Sequence, residues 1–338
     1  MRVVVAPDSF KGTCAADRAA AAIADGWRAA RRGDDVVQIP QADGGDGTLR
    51  ALVSAIPHAV PRSVGRVTGP AGQDVGGIYL EMRDGTAVVE LAMVSGFTLM
   101  PRLDPLGATS RGLGEVMARA LDAGCERLVV AIGGSASTDG GLPMLEALGD
   151  RRPPARGAVV LTDVRAPLLG PAGAAAVFAP QKGASAAEVA LLEARLEAVA
   201  ARLGADPTVP GAGAAGGVGY ALSAWGATLV EGAPEIARLT GLDAAGAAAD
   251  LVLTGEGRFD AQSLLGKVTG HALAAFPRVG VIAGEVAADP GVWSASLATL
   301  AGTREAAMAE PERWLEAAGR AAAAARERSG PRPFEPAG

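Results

Sequence analysis

Residues 127–141 constrain the fold more than any other part of the sequence. Residues 128–132 form a continuous apolar, β-branched run, which is typical of a strand buried on both faces. Glycines and hydroxyl residues follow, and then a helical pattern over 142–148. At such a strand end, backbone N–H groups and the helix N-terminus favour an anion. A plain turn needs one or two glycines, whereas this one has four, with three hydroxyls and Asp139. The segment therefore predicts a ligand site.

Composition and charge exclude several classes of protein. A chain of 338 residues has room for two domains, and a net charge of −6 without a basic run argues against a nucleic-acid surface. Cys14 and Cys125 are too few for a disulfide scaffold, and His58 and His271 argue against a zinc centre or a Ser-His-Asp triad. No apolar run approaches a membrane span of about 20 residues. The start of the chain leads directly into a strand, so we expect a cytoplasmic protein without a membrane partner.

The lysines are few and share one feature. Among 31 basic residues only Lys11, Lys182 and Lys267 are lysines, and each adjoins a glycine. A compact ammonium group beside a flexible backbone suits a phosphate better than a planar guanidinium does. Codon bias explains why lysine is rare but not why all three lie next to glycines. The pattern indicates phosphate or substrate binding.

Polar residues follow the first two predicted strands. Asp8, Ser9 and Lys11 come after an apolar strand over 3–6, where Asp8 is either a helix cap or part of a polar substrate site. Asp43 follows the second strand, within a run over 42–48 that holds two carboxylates and three glycines. That run is either a solvated turn or a candidate for metal or substrate binding.

The sequence pattern changes in the middle of the chain. Short alternating runs over 60–99, with Asp84-Gly85 as a hairpin signal, predict antiparallel strands of a second domain. Arg111 begins a helix beside a glycine, where it either binds a carboxylate or is an ordinary surface arginine. A brief strand is expected to end near Phe178, before a helix that starts close to 187.

Two glycine-rich segments of the second half resemble nucleotide motifs only in part. Residues 211–219 match G-x-G-x-x-G, but prolines stand where a buried strand must precede it, so we interpret them as a glycine loop able to hold phosphate. Residues 261–268 lack the first glycine and the Mg²⁺-binding hydroxyl of a Walker A loop. Strands are predicted over 250–254, 279–283 and 297–300, and the Pro-rich end is predicted to fray.

Six blocks of sequence together resemble the bacterial glycerate kinase family, of the glycerate 2-kinase type found in glucarate and glyoxylate metabolism. They are A-P-D-S-F-K-G (6–12), A-D-G-G-D-G-T (42–48), G-G-S-A (133–136), P-Q-K-G-A (180–184), the glycine loop (211–217), and G-E-G (255–257) with Asp260, Gln262, Gly266 and Lys267. The blocks occur in family order from residue 3 to about 285, and three of them contain the lysines.

The chain also departs from the family pattern. It is shorter between 148 and 159, and Thr138 and Ala166 stand where the family usually has Asn. Two amide side chains are therefore missing near the expected ligand loops, which bears on substrate affinity and on the exact substrate. Residues after 284 resemble the family poorly.

The resemblance implies an α/β protein of two domains, one Rossmann-like and one flavodoxin-like, with the active site in the cleft between them. The segment pattern agrees, because the strands near the two termini are expected to form one parallel sheet and the middle of the chain another unit. We therefore predict a discontinuous Rossmann-like domain over 1–60 and 250–338, and an inserted domain over 61–249.

The resemblance also implies an enzyme that phosphorylates D-glycerate to 2-phosphoglycerate with ATP and Mg²⁺, and it allows a homodimer. Phosphorylation to 3-phosphoglycerate, or of a related hydroxy acid, stays open, as do an NAD-dependent oxidoreductase and a catalytically dead regulator. The implied catalytic residues are Asp8, Lys11, Asp43, Asp139, Asp163, Lys182, Asp260 and Lys267. The implied substrate-binding residues are Ser9, Arg111 and Arg258. The implied nucleotide-binding residues are Gly133, Gly134, Ser135, Gly213, Gly216, Gly217 and Glu256. The implied metal ligands are Asp43 and Asp163.

Overall fold

The computed structural model describes residues 1–329, which form two β-sheets and the helices that connect their strands. The strands are β1 (Arg2–Val5), β2 (Asp35–Gln38), β3 (Val60–Thr68), β4 (Asp74–Glu81), β5 (Thr86–Glu90), β6 (Arg127–Ala131), β7 (Ala158–Leu161), β8 (Thr228–Val230), β9 (Leu251–Phe259), β10 (Val279–Val286) and β11 (Ser294–Ser296). The predicted fraying of the Pro-rich end concerns residues 330–338, which lie outside the described residues.

The α-helices alternate with these strands over most of the described chain. They are α1 (Ala16–Ala30), α2 (Thr48–Ala55), α3 (Ala92–Ser95), α4 (Arg111–Asp122), α5 (Leu142–Leu148), α6 (Ala174–Phe178), α7 (Ala186–Leu203), α8 (Ala214–Trp225), α9 (Gly232–Thr240), α10 (Leu242–Ala247), α11 (Val268–Ala275), α12 (Leu297–Ala301), α13 (Arg304–Ala309) and α14 (Pro311–Ser329). Short 3-10 turns occupy Phe97–Leu99, Pro180–Lys182 and Ala261–Leu264. The α/β class predicted from the sequence is confirmed.

The chain divides into two compact units. The first unit consists of Met1–Asp43, Arg50–Pro57 and the chain from Ala233 onward. The second unit consists of Gly44–Leu49 and His58–Gly232. Each unit contains one of the two sheets, so each has a core of its own.

The sheet of the first unit joins strands from both ends of the chain, as predicted. Its order is β11-β10-β9-β1-β2, and all its neighbours pair in parallel. On one side, α1 and α14 pack so closely that a Cβ on Gly26 would lie 2.0 Å from the carbonyl oxygen of Glu316. Gly319 meets the backbone of Ile23 in the same way. Glycine at these two crossing points allows the helices to cover the buried strands β1 and β9.

The helices α9 and α10 belong to the first unit. Ala237, Leu242 and Ala249 pack into one apolar cluster with Val4 and Val252 of the first sheet. The sequence-based prediction places residues 233–249 in the inserted domain, over 61–249. We propose that the two units are the two predicted domains, with this boundary at 232 rather than 249.

The sheet of the second unit is mixed, in the order β3-β4-β5-β6-β7-β8. The pairs β3–β4 and β4–β5 are antiparallel, as the alternating runs and Asp84-Gly85 predicted, and the other pairs are parallel. Strand β6 lies inside this sheet, and Leu128, Val129 and Val130 are fully buried. The predicted buried strand is therefore confirmed, together with helix α5 directly after its loop.

Two predicted strands are wrong. The residues before Pro180 form helix α6, because a run of three alanines favours the helix over an extended chain. The residues after Ser296 form helix α12, where the Ser296 side chain accepts a hydrogen bond from the Thr299 N–H and so caps the helix. The strand itself is the three-residue β11 just before this cap.

Candidate active site

The carboxyl end of β1 carries the first group of predicted site residues. The Asp8 N–H donates to the carbonyl oxygen of Gly255 (2.8 Å), which lies on the neighbouring strand β9. Because β1 and β9 are parallel, their polar carboxyl-terminal residues reach the same edge of the sheet. This pairing brings Asp8 and Glu256 together although 248 positions separate them in the sequence.

A cavity of about 330 Å³ opens at this edge, within the first unit. Eight of the residues predicted from the sequence line it: Asp8, Ser9, Lys11, Asp43, Glu256, Arg258, Asp260 and Lys267. They come from loops after β1 and β2, from the end of β9 and from the segment before α11. The sheet thus brings three of the six sequence blocks, 6–12, 42–48 and 255–267, into one polar site.

The carboxylates of this cavity repel one another. Burial, and next the negative charge of Asp43, raise the pKa of Asp8 to about 8, while the Ser9 N–H (2.6 Å from Oδ1) and Lys11 act in the opposite direction. Burial also raises the pKa of Glu256, against the nearby hydroxyls of Thr269 and Ser263 and the ammonium of Lys267. A bound cation would relieve this repulsion.

Lys11 and Lys267 line the same cavity as these carboxylates but form no ion pair with them. Within residues 1–329, neither Lys11 nor Lys267 has a carboxylate within ion-pair distance. Lys11 is exposed, and Lys267 precedes helix α11 as its N-terminal flanking residue. Their ammonium groups are therefore available to a phosphate or carboxylate of a ligand.

The arginines predicted to bind substrate have protein partners instead. Arg258 lies 2.8 Å from Glu285 and 3.5 Å from Asp260, at the rim of the same cavity. Arg111 is exposed on α4 and pairs with Glu115 one turn along the helix (3.1 Å). Their predicted role stays a prediction.

The second unit contains a separate group of charges, which is buried. Lys182 is only 4% exposed, and its ammonium donates to the Ser135 hydroxyl (2.9 Å) and to the Ser137 carbonyl oxygen. Burial lowers the pKa of Lys182 to about 8, and the negative charge of Asp139 opposes this shift. Lys182 thus fastens the loop that follows β6.

Asp139 belongs to the same buried group. Its Oδ2 accepts hydrogen bonds from the Ser110 N–H (2.7 Å) and hydroxyl (2.8 Å), and its Oδ1 accepts one from the Gly141 N–H (3.0 Å). Burial raises the pKa of Asp139, and these hydrogen bonds oppose the rise. Asp139 is 7% exposed and both of its carboxylate oxygens accept hydrogen bonds from protein donors, so it connects the Ser110 and Gly141 segments; its catalytic role stays a prediction.

The glycines predicted to bind nucleotide are needed for close backbone packing in the second unit. A Cβ on Gly133 would lie 2.5 Å from Cα of Gly45, and one on Gly216 would lie 2.1 Å from the Ser137 carbonyl oxygen. Gly213 and Gly217 meet the backbone in the same way, at Pro167 and Gly140. At Gly134 a Cβ would meet no close contact, and only the positive φ of 75° favours glycine. Nucleotide binding by these residues stays a prediction.

The remaining predicted or divergent positions lie in the second unit. Asp163 is exposed in the segment after β7, and it does not line the first-unit cavity. Thr138 is fully buried, and its hydroxyl has no hydrogen-bond partner among the described residues. The Ala166 carbonyl oxygen accepts a hydrogen bond from the Gly213 N–H (2.9 Å).

The chemistry of the first-unit acids fits Mg²⁺. Among residues 1–329 no cluster of three or more His, Cys, Asp or Glu side chains forms a complete metal site. Mg²⁺ in phosphoryl-transfer enzymes, however, uses one or two carboxylates together with substrate phosphates and water. Asp8 and Asp43, adjacent and mutually repelling, supply such a pair.

Sequence reasoning missed three residues with a clear structural role. Glu90 is 1% exposed, and it accepts hydrogen bonds from the N–H groups of Gly47 (2.9 Å) and Leu49 (2.8 Å). A lone carboxylate ending the apolar run of β5 was the signal for it. Arg304 and Met308 of α13 line the first-unit cavity, and no motif marks either of them.

Comparison with known proteins decides the family. The model of the glycerate kinase family matches residues 3–160 and 150–327. The chain belongs to the glycerate kinase family. The match covers the six motif blocks and continues past 285, where the sequence motifs end.

Members of the glycerate kinase family are similar to this chain over most of its length. A glycerate kinase of Bacillus subtilis is 40% identical, covering 86% of this chain and 86% of that protein. A glycerate 2-kinase of Escherichia coli is 39% identical, covering 79% and 80%. The crystal structure described as a glycerate kinase 2 of Salmonella typhimurium LT2 matches with a TM-score of 0.81 and 35% identity, covering 97% of this chain and 98% of that one. In residues 1–329 no helix is long and apolar enough to cross a bilayer.

Proposed function

We propose that the protein transfers the γ-phosphoryl group of ATP to a hydroxyl of D-glycerate and forms 2-phosphoglycerate. The observation that carries the proposal is the first-unit cavity, where Lys11 and Lys267 stand without ion pairs among carboxylates. Family membership supports the reaction class. The names of the relatives, glycerate kinase and glycerate 2-kinase, support the substrate and the position of phosphorylation.

The transfer needs little covalent chemistry from the protein. The attacking hydroxyl oxygen of glycerate bonds to the γ-phosphorus while the bond to the bridging oxygen breaks, and ADP leaves. The hydroxyl proton passes to a carboxylate within hydrogen-bond reach, for which Asp8 and Asp43 are the candidates in the cavity. Lys11 and Lys267 neutralise the charge on the phosphate oxygens and hold them in place.

Mg²⁺ would be held by Asp8 and Asp43 together with phosphate oxygens. When bound, the ion supplies positive charge to the transferring phosphoryl group. Its binding would also favour the ionised form of Asp8, which burial and the negative charge of Asp43 oppose in the protein alone. Asp163 is the second metal ligand predicted from the sequence. Its role in binding Mg²⁺ stays a hypothesis, which Asp163→Asn would test separately.

Lys182 and Asp139 would act as positioning residues. Lys182 holds the loop after β6 through Ser135 and Ser137, and Asp139 ties the start of α4 to the start of α5 through Ser110 and Gly141. Loss of either contact would displace the loops rather than remove a reacting group. If they instead acted on the substrate directly, as the sequence predicts, their loss would lower turnover without lowering stability.

A coupled assay of ADP release tests the function. Purified protein with D-glycerate and Mg-ATP is expected to release ADP, and NMR of the product is expected to show phosphate on the C2 oxygen. Only 3-phosphoglycerate would overturn the position of transfer, and ADP release with a different hydroxy acid alone would overturn the substrate. NADH binding without any response to ATP would support an oxidoreductase. Ligand binding without turnover of any kind would support a regulator. The homodimer and the cytoplasmic location stay predictions.

A further inference from the structure

Part of the first-unit cavity is apolar. Leu297, Ala307, Met308 and Pro311, from the segment α12–α14, line it together with the polar groups described above. Met308 is 48% exposed although it is a large apolar side chain. An apolar surface inside a polar site indicates a ligand with an apolar part. D-Glycerate has none, since each of its three carbons carries oxygen.

Glu256 gives an independent indication of a ligand. Its side chain lines the cavity and is 8% exposed, and its buried Oε1 accepts no hydrogen bond within the described residues, although the Thr269 and Ser263 hydroxyls lie near the carboxylate. A buried acceptor without a donor is costly, so such groups are usually satisfied by water or by a bound molecule. Sugar hydroxyl groups are donors of the right kind for a carboxylate.

Arg304 provides positive charge at the same place. It lines the cavity from the first residue of α13, and within residues 1–329 it forms no ion pair or side-chain hydrogen bond. Arg258, the other arginine of the cavity, is engaged by Glu285 and Asp260. Arg304 therefore remains available to an anionic group of a ligand.

We propose that the segment α12–α14 forms the nucleoside subsite of this cavity, with the base of ATP against Met308, Glu256 bonded to ribose hydroxyls and Arg304 on the phosphates. ATP combines an apolar planar base, a donor-bearing sugar and a polyanion, which are the three chemistries that the cavity offers. The inference rests on the proposed function, because it takes ATP as the phosphoryl donor. It places the nucleoside in the first unit, whereas the sequence motifs predicted nucleotide contacts mainly from glycine loops of the second.

Calorimetric titration with Mg-ADP and with magnesium pyrophosphate tests the subsite. Met308→Gln is expected to weaken Mg-ADP binding about tenfold and to leave pyrophosphate binding unchanged, because it makes the apolar surface polar without adding a charge. Arg304→Met is expected to weaken both ligands about tenfold, since it removes a charged contact. Leu300→Gln and Arg313→Met are matched controls, because Leu300 and Arg313 are exposed in the same segment but do not line the cavity. Both should bind Mg-ADP like the unaltered protein.

Steady-state kinetics separate this inference from the proposed function. Met308→Gln should raise KM for ATP and leave KM for D-glycerate unchanged. Wild-type affinity for Mg-ADP in Met308→Gln, or no binding of Mg-ADP by the unaltered protein, would overturn the subsite. Turnover of D-glycerate together with an unchanged KM for ATP in Met308→Gln would overturn the subsite alone. Binding as expected without phosphorylation of D-glycerate would uphold the subsite and overturn the proposed function.

Discussion

The two units contain the same charged residue types in opposite circumstances. In the second unit, Lys182 and Asp139 are buried and every oxygen of the carboxylate accepts a hydrogen bond from the protein. In the first unit, Asp8 lines a cavity beside another acid, and Lys11 and Lys267 have no ion pair among the described residues. The same residue type can therefore be proposed to bind a ligand in one unit and to position a loop in the other, depending on its partners within the protein.

Energetics explains why the two groups differ. A buried charge is tolerated only when hydrogen bonds and an opposite charge compensate it, and removing one partner leaves the other uncompensated. The second-unit group is compensated within the protein, so its removal should reduce stability. In the first unit, burial and the negative charge of Asp43 raise the pKa of Asp8, and a bound cation would relieve this repulsion. Removal of Asp8 should therefore reduce activity.

Lys182→Met should have the largest effect. It removes two hydrogen bonds from a charged donor, to Ser135 and Ser137, and the positive charge near buried Asp139, so we expect the free energy of unfolding to fall by about 3–5 kcal/mol. Urea denaturation followed by circular dichroism measures this loss. Lys11→Met is the matched control, and its denaturation midpoint should not change because Lys11 is exposed. An inactive Lys182→Met protein of normal stability would instead support the catalytic role predicted from the sequence.

Asp8→Asn should lower turnover at least about a hundredfold, the lower range for loss of a proton acceptor. Its melting temperature should not fall, because the change removes repulsion between Asp8 and Asp43. Coupled ADP release and thermal melting measure the two effects on one preparation. Near-normal turnover would exclude Asp8 from the proposed chemistry.

Asp139→Asn, unlike Asp8→Asn, should lower stability more than turnover. One of the two carboxylate oxygens becomes an NH₂ group that faces the donors of Ser110 or Gly141, so we expect the free energy of unfolding to fall by about 1–3 kcal/mol. The same melting experiment on Asp139→Asn, beside Asp8→Asn, measures it. A hundredfold loss of turnover with an unchanged melting temperature would indicate that Asp139 takes part in the reaction, and it would contradict the proposed positioning role.

Lys11→Met and Lys267→Met should each lower kcat/KM at least about tenfold, since a charge-assisted phosphate contact contributes about 1.5–3 kcal/mol. Arginine replacements should not restore activity, because a planar fork does not occupy the same space as an ammonium group. Initial-rate assays at varied ATP measure both. Arg320→Met is the control, because Arg320 is exposed, pairs with Glu316 and lies outside the cavity lining. Full activity in Lys11→Arg would show that only charge matters there.

Much of the first-unit site was accessible to sequence reasoning. Asp8 and Glu256 each follow an apolar strand, and the carboxyl ends of neighbouring parallel strands share one edge. The burial of Lys182 was not accessible, because it depends on how the helix α6, itself mistaken for a strand, presents the following turn to Ser135. Arg304 lies beyond the motif blocks. Local patterns thus identify strand ends, while long-range packing decides which charges are compensated.

The last expected effect depends on pH and concerns Glu90, a buried and hydrogen-bonded acid like Asp139. Burial raises the pKa of Glu90 from 4.5 to about 7, with a further rise from Asp46, against the N–H groups of Leu49 and Gly47. The native protein therefore holds this proton more tightly than the unfolded chain does. Stability from Glu90 is complete below about pH 4.5 and is lost as the pH rises to about 7, by at most about 1.4 kcal/mol per pH unit.

Glu90→Gln measures this contribution, because glutamine keeps the shape and does not titrate. Urea denaturation between about pH 5 and about pH 8 should show a steeper loss of stability with rising pH in the unaltered protein than in Glu90→Gln. Glu231→Gln, which replaces an exposed acid of the second unit, should follow the unaltered protein. Parallel curves for Glu90→Gln would mean that Glu90 is ionised over the whole range. The N–H groups of Gly47 and Leu49 would then compensate the burial of the Glu90 carboxylate completely. Glu90 would in that case be a charge compensated within the protein, like Asp139.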